Sequence, residues 1–286
     1  MTVSAAGART APDHLARIAE VHAGDAVAKV GYPVGLRELE VLRVQRLGSA
    51  LVRVTLGGPG ARGFASHVPE EHVRLVLPDE HGVLRLPERD GPSLRWPRPL
   101  PVSREYTVRR HDPATGELDV DLVLHPGGVA SGWAASTRPG DRVHVAGLPG
   151  GVVVPAAHGR YLFAGDLTAL PQIARYLQAL PRTATGWAFV EVADASEEVE
   201  LTAPEGFQVR WVHRGDVPPG HGDALERAVR AVPLPDGRRT FVWIAGEAGV
   251  LKPLRRWARH ELGVPAGDCR LTGYWKRGVA DFDDEH

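Results

Sequence analysis

Apolar and polar residues alternate along much of the first half of the chain, from about residue 36 to residue 147. The segment "ALVRVTL" places Val52, Val54 and Leu56 on one side of an extended chain, and "ELDVDLVLH" repeats the pattern. Alternation with a period of two is typical of a half-buried strand. Turn sequences such as "LGGPG", "LPDEHG", "HDPATGE" and "RPGD" separate these runs. Many short strands joined by such turns predict an antiparallel sandwich or barrel.

From about residue 158 the pattern changes to strands that alternate with helices. The segment "TALPQIARYLQAL" has helical spacing at Leu170, Ile173 and Leu177, and "DALERAVRAV" and "GVLKPLRRWARHELG" also predict helices. Strands are predicted for "RYLFAG", "TGWAFVEVAD", "FQVRWVH", "TFVWIAG" and "CRLTGYW". This order favours a mostly parallel, doubly wound sheet, in which ligands bind at the carboxyl ends of the strands.

These two patterns divide the 286 residues into three predicted parts. Residues 1–35 form an N-terminal extension, which we expect to be partly mobile because its first ten residues are small and polar. Residues 36–155 form the antiparallel domain, and residues 156–286 form the α/β domain.

Composition excludes several classes of protein. The chain has 34 Lys and Arg residues against 35 Asp and Glu residues, so its charge does not favour a nucleic-acid-binding protein. It contains no apolar run long enough for membrane insertion and no recognisable signal peptide, so we expect a cytoplasmic protein. The single cysteine, Cys269, rules out an intrachain disulfide, and in a predicted strand it is expected to be a small buried apolar residue.

Other motifs point away from nucleophilic or metal chemistry. The segment "GPGARG" fits the dinucleotide fingerprint, but it lies in the antiparallel half and is followed by no helical pattern, so we interpret it as a turn. No nucleophile motif and no close cluster of metal ligands is present. The C-terminal "DDEH" is interpreted as a solvated acidic tail.

The segment "SREYTVRR", residues 103–110, combines arginines with a tyrosine on a predicted strand. Arginine suits phosphate and tyrosine offers a flat face to a ring, so the pair suggests a ligand with both groups. Residues two apart on a strand share a face, so Arg104 and Tyr106 can contact one ligand, with Thr107 at the ring edge. The alternative is an exposed edge strand with scattered charges.

The segment "HPGGVASGWAAS" follows the strand "DVDLVL". Gly127 and Gly128 permit a tight turn, and a helix that begins at Val129 would present free N–H groups to an anion. An ordinary loop-to-helix connection is the alternative. Taken together, the strand and this loop suit a flavin dinucleotide, with its pyrophosphate on the arginines and amides.

These residues also carry a resemblance to a known family. The run "REYTVRRHDPATGELDVDLVLH" with "GGVASGWAA", followed in order by "GDLTALPQIARYL", "VEVAD", "WVHR", "AGEAGVLKPLRR" and "GYWKRG", resembles the siderophore-interacting protein family over residues 36–280. The resemblance implies an FAD-binding antiparallel β-barrel followed by a doubly wound NAD(P)H-binding domain. It also implies that the protein reduces ferric siderophores in the cytoplasm.

Carried over to this chain, the resemblance implies specific site residues. Thr107 and Thr168 are the candidate catalytic residues, next to the flavin. The other candidate flavin contacts are Arg104, Tyr106, Val108, Arg109, Leu122, Leu124, His125, Gly128, Ala130 and Ser131. Independently of the resemblance, ligands gather at the carboxyl ends of parallel strands, so the candidate NAD(P)H contacts are Gly165, Asp166, His213, Arg214, Gly246 and Glu247. The chain departs from the family where it has Leu167, a position that is commonly acidic, and where Pro126 follows His125.

The predicted function is an FAD-dependent reductase that passes electrons from NADH or NADPH to a ferric siderophore and releases iron as Fe(II). Lys276 and Arg277, beside Trp275, are candidates for contact with an anionic siderophore, although they could also be ordinary surface charges. A flavoenzyme with another acceptor and a non-enzymatic binder of siderophore or flavin are the alternatives. Such a reductase needs no metal site of its own, because the iron arrives chelated.

Overall fold

A computed structural model describes residues 11–233, 239–280 and 282. The expectation of mobility for residues 1–10 and the interpretation of "DDEH" as an acidic tail therefore lie outside the described residues. Within the described residues, no helix is both long enough and apolar enough to span a membrane.

The first half of the chain forms a closed barrel of six strands in the order β2-β3-β8-β7-β4-β9, with antiparallel neighbours. The elements of this half are α1 (Ala11–Ala23), β1 (Ala28–Gly31), β2 (Gly35–Leu47), β3 (Leu51–Gly57), β4 (His72–Leu77), β5 (Glu88–Asp90), β6 (Ser93–Arg95), β7 (Val102–Asp112), β8 (Glu117–Val123), α2 (Val129–Ser136), β9 (Arg142–Gly147) and β10 (Gly150–Val153). The predicted antiparallel barrel is confirmed. The segment "GPGARG" holds a single 3-10 turn, Pro59–Ala61, as interpreted from the sequence.

The barrel core is built from the apolar side of the alternating strands. Val54 and Leu56 of β3 and Val120 of β8 are fully buried in it. The opposite face of β3 is also covered, which the alternation did not predict. Leu51 packs into the core of the second domain, and Thr55 is buried where its hydroxyl donates to Asp119 Oδ1 at 2.7 Å.

The second half is a five-stranded parallel sheet in the order β13-β12-β11-β14-β15, flanked by helices. Its elements are β11 (Arg160–Asp166), α3 (Leu170–Ala179), β12 (Thr185–Val192), β13 (Gly206–His213), α4 (Ala224–Arg230), β14 (Thr240–Glu247), α5 (Leu251–Arg256) and β15 (Cys269–Trp275). The predicted doubly wound sheet is confirmed. The strand order reverses between β11 and β14, and a crevice at such a reversal is where open α/β sheets bind ligands.

Both faces of this sheet are buried, as expected for parallel strands. Phe163 of β11 faces the core that includes α3, whereas Leu162 faces the core that includes α4 and α5. Cys269 is buried in the second of these cores, as predicted. The helix predicted for "GVLKPLRRWARHELG" is shorter than expected, because α5 ends at Arg256 and a π-helical turn, Trp257–Glu261, follows it.

The N-terminal segment packs on the barrel and on the connection between the two halves. Strand β1 pairs with β10, and Ile18 and Val21 of α1 form a small core with Val30 and Val153. The two halves meet mainly where α3 lies against β7. The strand that carries "SREYTVRR" is therefore at the junction of the two halves.

Candidate functional site

Arg104 and Tyr106 lie on the same side of β7, as predicted from their spacing. They pair in register with Leu75 and Val73, whose side chains are in the barrel core. Tyr106 packs against that core, and burial raises its pKa to about 12, so its phenol is neutral at physiological pH. Arg104 donates from Nη1 to the carbonyl of Ser103 at 2.7 Å.

Thr107 is the point where β7 contacts the second half of the chain. Its hydroxyl donates to Oε1 of Gln172 on α3 at 3.4 Å, and it is also hydrogen-bonded to the phenol of Tyr274 on β15. Gln172 is 1% exposed. The sequence identified Thr107 but missed both partners, because nothing in a linear pattern places α3 or β15 against β7.

Two β-bulges bring these side chains together. On β7 the register shifts between Val108 and Arg110, so Arg109 is an extra residue opposite β8. On β15, Gly273 pairs with Gly246 and the next pair is Trp275 with Glu247, so Tyr274 is also unpaired in the ladder. A bulge re-aims the side chain that it carries. Arg109 donates to Gln178 Oε1 of α3 at 3.0 Å and has its Nε 3.9 Å from Asp121 Oδ2.

Some predicted flavin contacts have side chains that point into the barrel. Val108 and Leu122 are fully buried in the barrel core, and Leu124 packs against it. Neither Val108 nor Leu122 is exposed, and the Val108 N–H donates to the carbonyl of Glu71 at 3.0 Å. Their place in the site stays a prediction.

The predicted phosphate loop has the expected shape. Gly127 has a φ of 76° and nothing lies within 4 Å of the position that its Cβ would occupy. Helix α2 begins after Gly128, and no side chain caps it. Its first N–H groups therefore have no acceptor within the helix or from a capping residue. An open turn before an uncapped helix start suits a phosphate.

Ser131 and His125 hold that loop together. The Ser131 hydroxyl donates to the carbonyl of His125 at 2.9 Å and accepts from its N–H at 2.8 Å. A Cβ on Gly128 would lie 2.3 Å from the His125 ring, so a larger residue there would displace that ring. Ala130 is buried beneath the helix start. The Ser131 hydroxyl thus shapes the loop, and no side chain caps the amides at the start of α2.

A charged cluster beside Thr107 was missed by the sequence reasoning. Glu105 accepts from Arg74 and lies 3.7 Å from Nε2 of His72, which is the register partner of Thr107. Burial opposes ionisation of Glu105, but the charges of His72 and Arg74 hold its pKa below the usual range. These three side chains belong to neighbouring strands, β4 and β7, that are distant in sequence.

At the edge of the parallel sheet, Asp166 accepts four hydrogen bonds. Its Oδ1 accepts from the hydroxyl and the N–H of Thr168, at 2.5 and 2.9 Å. Its Oδ2 accepts from Trp275 Nε1 at 2.8 Å and from the Glu247 N–H at 3.0 Å. Burial raises the pKa of Asp166, although these four donors favour the carboxylate. Asp166 thus links the ends of β11, β14 and β15.

Tyr274 and Trp275, consecutive on β15, connect the two predicted parts of the site. Tyr274 is hydrogen-bonded to Thr107 of the barrel, and Trp275 Nε1 donates a hydrogen bond to Asp166 at the sheet edge. Tyr274 and Trp275 thus connect Thr107 with the loop from Asp166 to Thr168.

A small cavity of about 10 Å³ lies beside Asp166, lined also by Glu191, Gly246 and Glu247. Burial and the charge of Asp166 raise the pKa of Glu191. Burial opposes ionisation of Glu247 too, but the backbone N–H groups around it hold its pKa below the usual range. Gly165 borders the site, and its Cβ would lie 2.4 Å from the carbonyl of Ala245. The sequence predicted Asp166, Gly246 and Glu247 but missed Glu191.

His213 and Arg214 are farther from the reversal point, since β13 is the outermost strand on its side. His213 Nε2 lies 2.6 Å from Glu198 Oε1. Arg214 donates to the carbonyls of Gly215 and Val217. Leu167, where the family is commonly acidic, is buried in the core beside α3.

The predicted substrate residues lie at the end of β15. The N–H of Arg277 donates to Glu247 Oε1 at 3.1 Å, and its guanidinium Nε is 3.8 Å from the same carboxylate oxygen. Lys276 is exposed, with its ammonium 6.0 Å from the ring centre of Phe282. Both cations are thus next to the edge that carries Asp166 and Glu247.

The residues present fit an FAD at this junction. Within the described residues, three of the four buried side-chain polar atoms without a hydrogen-bond partner lie on α3: Gln172 Nε2, Arg175 Nη1 and Tyr176 Oη. Such atoms are rare in folded proteins and call for a partner. Tyr176 packs in the core of the second half, so the candidate donors for the carbonyl and phosphate oxygens of a flavin dinucleotide are Gln172, Arg175 and the open helix start at Gly128.

Comparison with protein families gives two matches that together span most of the chain. The siderophore-interacting FAD-binding domain matches residues 40–153, and the siderophore-interacting protein family matches residues 158–278. The first match covers the barrel and the second covers the parallel sheet.

Individual relatives agree with these matches. The ferric vibriobactin reductase ViuB of Vibrio cholerae is 33% identical over 251 residues, which cover 85% of this chain and 90% of the relative. An NADPH-dependent ferric-chelate reductase of Escherichia coli is 33% identical and covers 84% of this chain and 92% of its own. The crystal structure of a siderophore utilization protein from T. fusca superposes with a TM-score of 0.84 at 42% identity, over 90% of this chain and 98% of that chain.

Proposed function

The chain belongs to the siderophore-interacting protein family, and we propose that it is an FAD-dependent reductase that passes electrons from NADPH to a ferric siderophore and releases the iron as Fe(II). The two family matches confirm the resemblance seen in the sequence. The observation that carries the proposal is the junction itself, where Thr107 of the barrel and the Asp166–Thr168 loop are joined through Tyr274 and Trp275. A reductase of this kind needs its two cofactors to meet at one place.

The barrel residues would hold the FAD. The N–H groups at the start of α2 and the guanidinium of Arg104 suit the pyrophosphate. Tyr106 offers a neutral ring to the flavin, and Thr107 would face its reacting edge. Bound there, FAD would accept the two electrons of a hydride and pass them on singly to ferric ions.

The edge of the parallel sheet would receive the nicotinamide. Asp166 holds Thr168 and Glu247 in place and so defines the shape of the crevice between β11 and β14. NADPH is proposed as the donor because the Escherichia coli relative is described as NADPH-dependent. This donor is a cytoplasmic metabolite, and we place the reaction in the cytoplasm.

The ferric siderophore would approach beside Lys276 and Arg277, whose charges suit an anionic chelate. Reduction promotes release because the hard oxygen donors of siderophores hold Fe(II) less strongly than Fe(III). The chain needs no iron ligands for this step.

The proposal is tested by steady-state assays that cross NADPH and NADH with a panel of ferric chelates. The expected result is oxidation of NADPH that depends on the chelate, with Fe(II) trapped by a ferrous-specific chelator. Oxidation with a quinone but with no ferric chelate would favour a flavoenzyme with another acceptor. Tight binding of a ferric chelate without NADPH oxidation would favour a binder, and either result would overturn the proposal.

A further inference from the structure

Helix α3 presents a polar face to the barrel. Gln172 and Arg175 are three residues apart and lie on that face, where Arg175 Nη2 donates to Ser66 Oγ at 2.9 Å. Among the described residues, Gln172 Nε2 and Arg175 Nη1 are buried without a hydrogen-bond partner, and Arg175 Nη1 lies 3.8 Å from Glu71 Oε2. Gln172 is the member of this face that contacts β7, through Thr107.

The Gln172 side chain is too deeply buried to be an ordinary surface amide. It is 1% exposed, and its Oε1 accepts from Thr107 Oγ1 at 3.4 Å. Burial of an amide costs free energy unless its hydrogen bonds are made, and an apolar residue at this position would avoid that cost. The contact with Thr107 therefore points to a role for the amide beyond packing.

The direction of this hydrogen bond constrains the Thr107 hydroxyl. A hydroxyl has one proton to donate and two lone pairs that accept. Since the proton is directed to Gln172, the same oxygen faces its other neighbours as an acceptor. Tyr274 is another neighbour of Thr107, and burial raises its pKa, so its phenol is neutral at physiological pH.

We propose that Gln172 is a positioning residue that holds the Thr107 hydroxyl as a hydrogen-bond acceptor toward the reacting edge of the flavin. This inference rests on the proposed function, because it requires FAD at the junction. The flavin nitrogen that accepts the hydride carries a proton when the ring is reduced and has only a lone pair when it is oxidised. An acceptor at Thr107 therefore favours the reduced ring, and Gln172 raises the potential of the bound flavin through Thr107.

The test is an anaerobic redox titration of the FAD-loaded protein, followed by its visible spectrum. Four proteins are compared: wild type, Gln172→Leu, Thr107→Val and the double variant. Gln172→Leu frees the hydroxyl proton to donate to the oxidised ring. The expected result is a tenfold fall in the ratio of reduced to oxidised flavin at a given potential. This corresponds to a midpoint potential lower by about 30 mV for a two-electron couple.

The double variant tests whether Gln172 acts through Thr107. If it does, the double variant has the same potential as Thr107→Val alone, because the two changes are coupled rather than additive. Gln178→Leu is the matched control, since Gln178 lies on the same helix and accepts from Arg109 on the same strand. Its flavin potential is expected to match that of the wild type.

Three results would overturn this inference while leaving the proposed function in place. They are an unchanged flavin potential in FAD-loaded Gln172→Leu, a raised potential in that variant, and additive shifts in the double variant. Thermal unfolding checks that each variant folds, and Gln172→Met repeats the test if the leucine variant does not. A wild-type protein that takes up no FAD would instead overturn the proposed function.

Discussion

The two ligand-facing parts of this protein are built with opposite electrostatics. The helix start at Gly128 presents uncapped N–H groups beside open space. The crevice between β11 and β14 is lined by Asp166, Glu191 and Glu247. The first region suits a bound anion, whereas the second repels one. Under the proposed function, the barrel would retain the pyrophosphate of a resident cofactor, and the crevice would receive the uncharged or cationic ring of a cofactor that comes and goes.

The two regions also differ in how their polar groups are satisfied. Asp166 accepts four hydrogen bonds from its own chain, so it has a structural role. The amides at the start of α2 are left for a ligand. We therefore expect substitutions in the crevice to alter folding stability, and substitutions near α2 to alter cofactor affinity.

The largest effect is expected for Asp166→Ala. The change leaves donors of Thr168, Glu247 and Trp275 without their acceptor, and each buried unsatisfied group costs about 1–3 kcal/mol. The free energy of unfolding in urea should fall by roughly 3 kcal/mol. Asp216→Ala, at an exposed carboxylate on the neighbouring loop, is the control and should be close to wild type. A loss in Asp166→Ala no larger than in this control would contradict the structural role.

Arg104→Ala should instead weaken FAD retention and leave folding nearly intact. A charge-assisted hydrogen bond contributes about 1.5–3 kcal/mol, so the Kd for FAD should rise by roughly 10- to 150-fold. Titration of the apoprotein followed by flavin fluorescence measures it. Arg46→Ala removes an exposed barrel arginine as the control. Equal FAD affinity in the Arg104 and Arg46 variants would remove Arg104 from the pyrophosphate site.

A smaller, salt-dependent effect is expected at the end of β15. Replacing Lys276 and Arg277 with alanine should lower kcat/KM for an anionic ferric chelate by a few fold, and the wild-type rate should fall as salt is added. Reduction of the flavin by NADPH should be unaffected, because it does not involve the acceptor. Arg182→Ala, an exposed arginine between α3 and β12, is the control. An equal loss with a neutral chelate would argue against steering.

The smallest effect is expected for Glu191→Gln. Burial and the charge of Asp166 raise the pKa of Glu191, so its charge is disfavoured in the folded protein at neutral pH. The variant should be slightly more stable at pH 7, by no more than about 0.5 kcal/mol. Because the pKa of Glu191 is higher in the folded protein than in the unfolded chain, the stability gained by Glu191→Gln is present at high pH. It disappears as the pH falls through the pKa of the folded protein toward the unfolded value near 4.3. A gain that grew on acidification would contradict this.

The sequence was most informative where local pattern decides structure. Period-two alternation identified the barrel strands, and helical spacing identified α3, whose bounds are Leu170–Ala179. The strand ends at Asp166 and Glu247 could be predicted as neighbours because parallel strands end at one edge. The assignment of individual residues to cofactor contacts stays a prediction.

The parts that sequence reasoning missed depend on contacts between the two halves. Gln172 looks like an ordinary helix residue, and its burial follows only from α3 lying against β7. Tyr274 is unpaired because of a bulge, and alternation along β15 gives no sign of it. Both faces of β3 are buried because Leu51 meets the second core. Each of these features requires the packing of one half on the other.

The most direct test of the central claim is a count of electrons across the junction. The FAD-loaded protein is reduced with one equivalent of NADPH without oxygen and is then mixed with excess ferric chelate and a ferrous-specific trap. If electrons pass from the crevice through the flavin to iron, the flavin is reoxidised and two Fe(II) are trapped for each FAD, because each ferric ion takes one electron. A flavin that NADPH reduces but that stays reduced in the presence of the ferric chelate, with no Fe(II) trapped, would contradict the account.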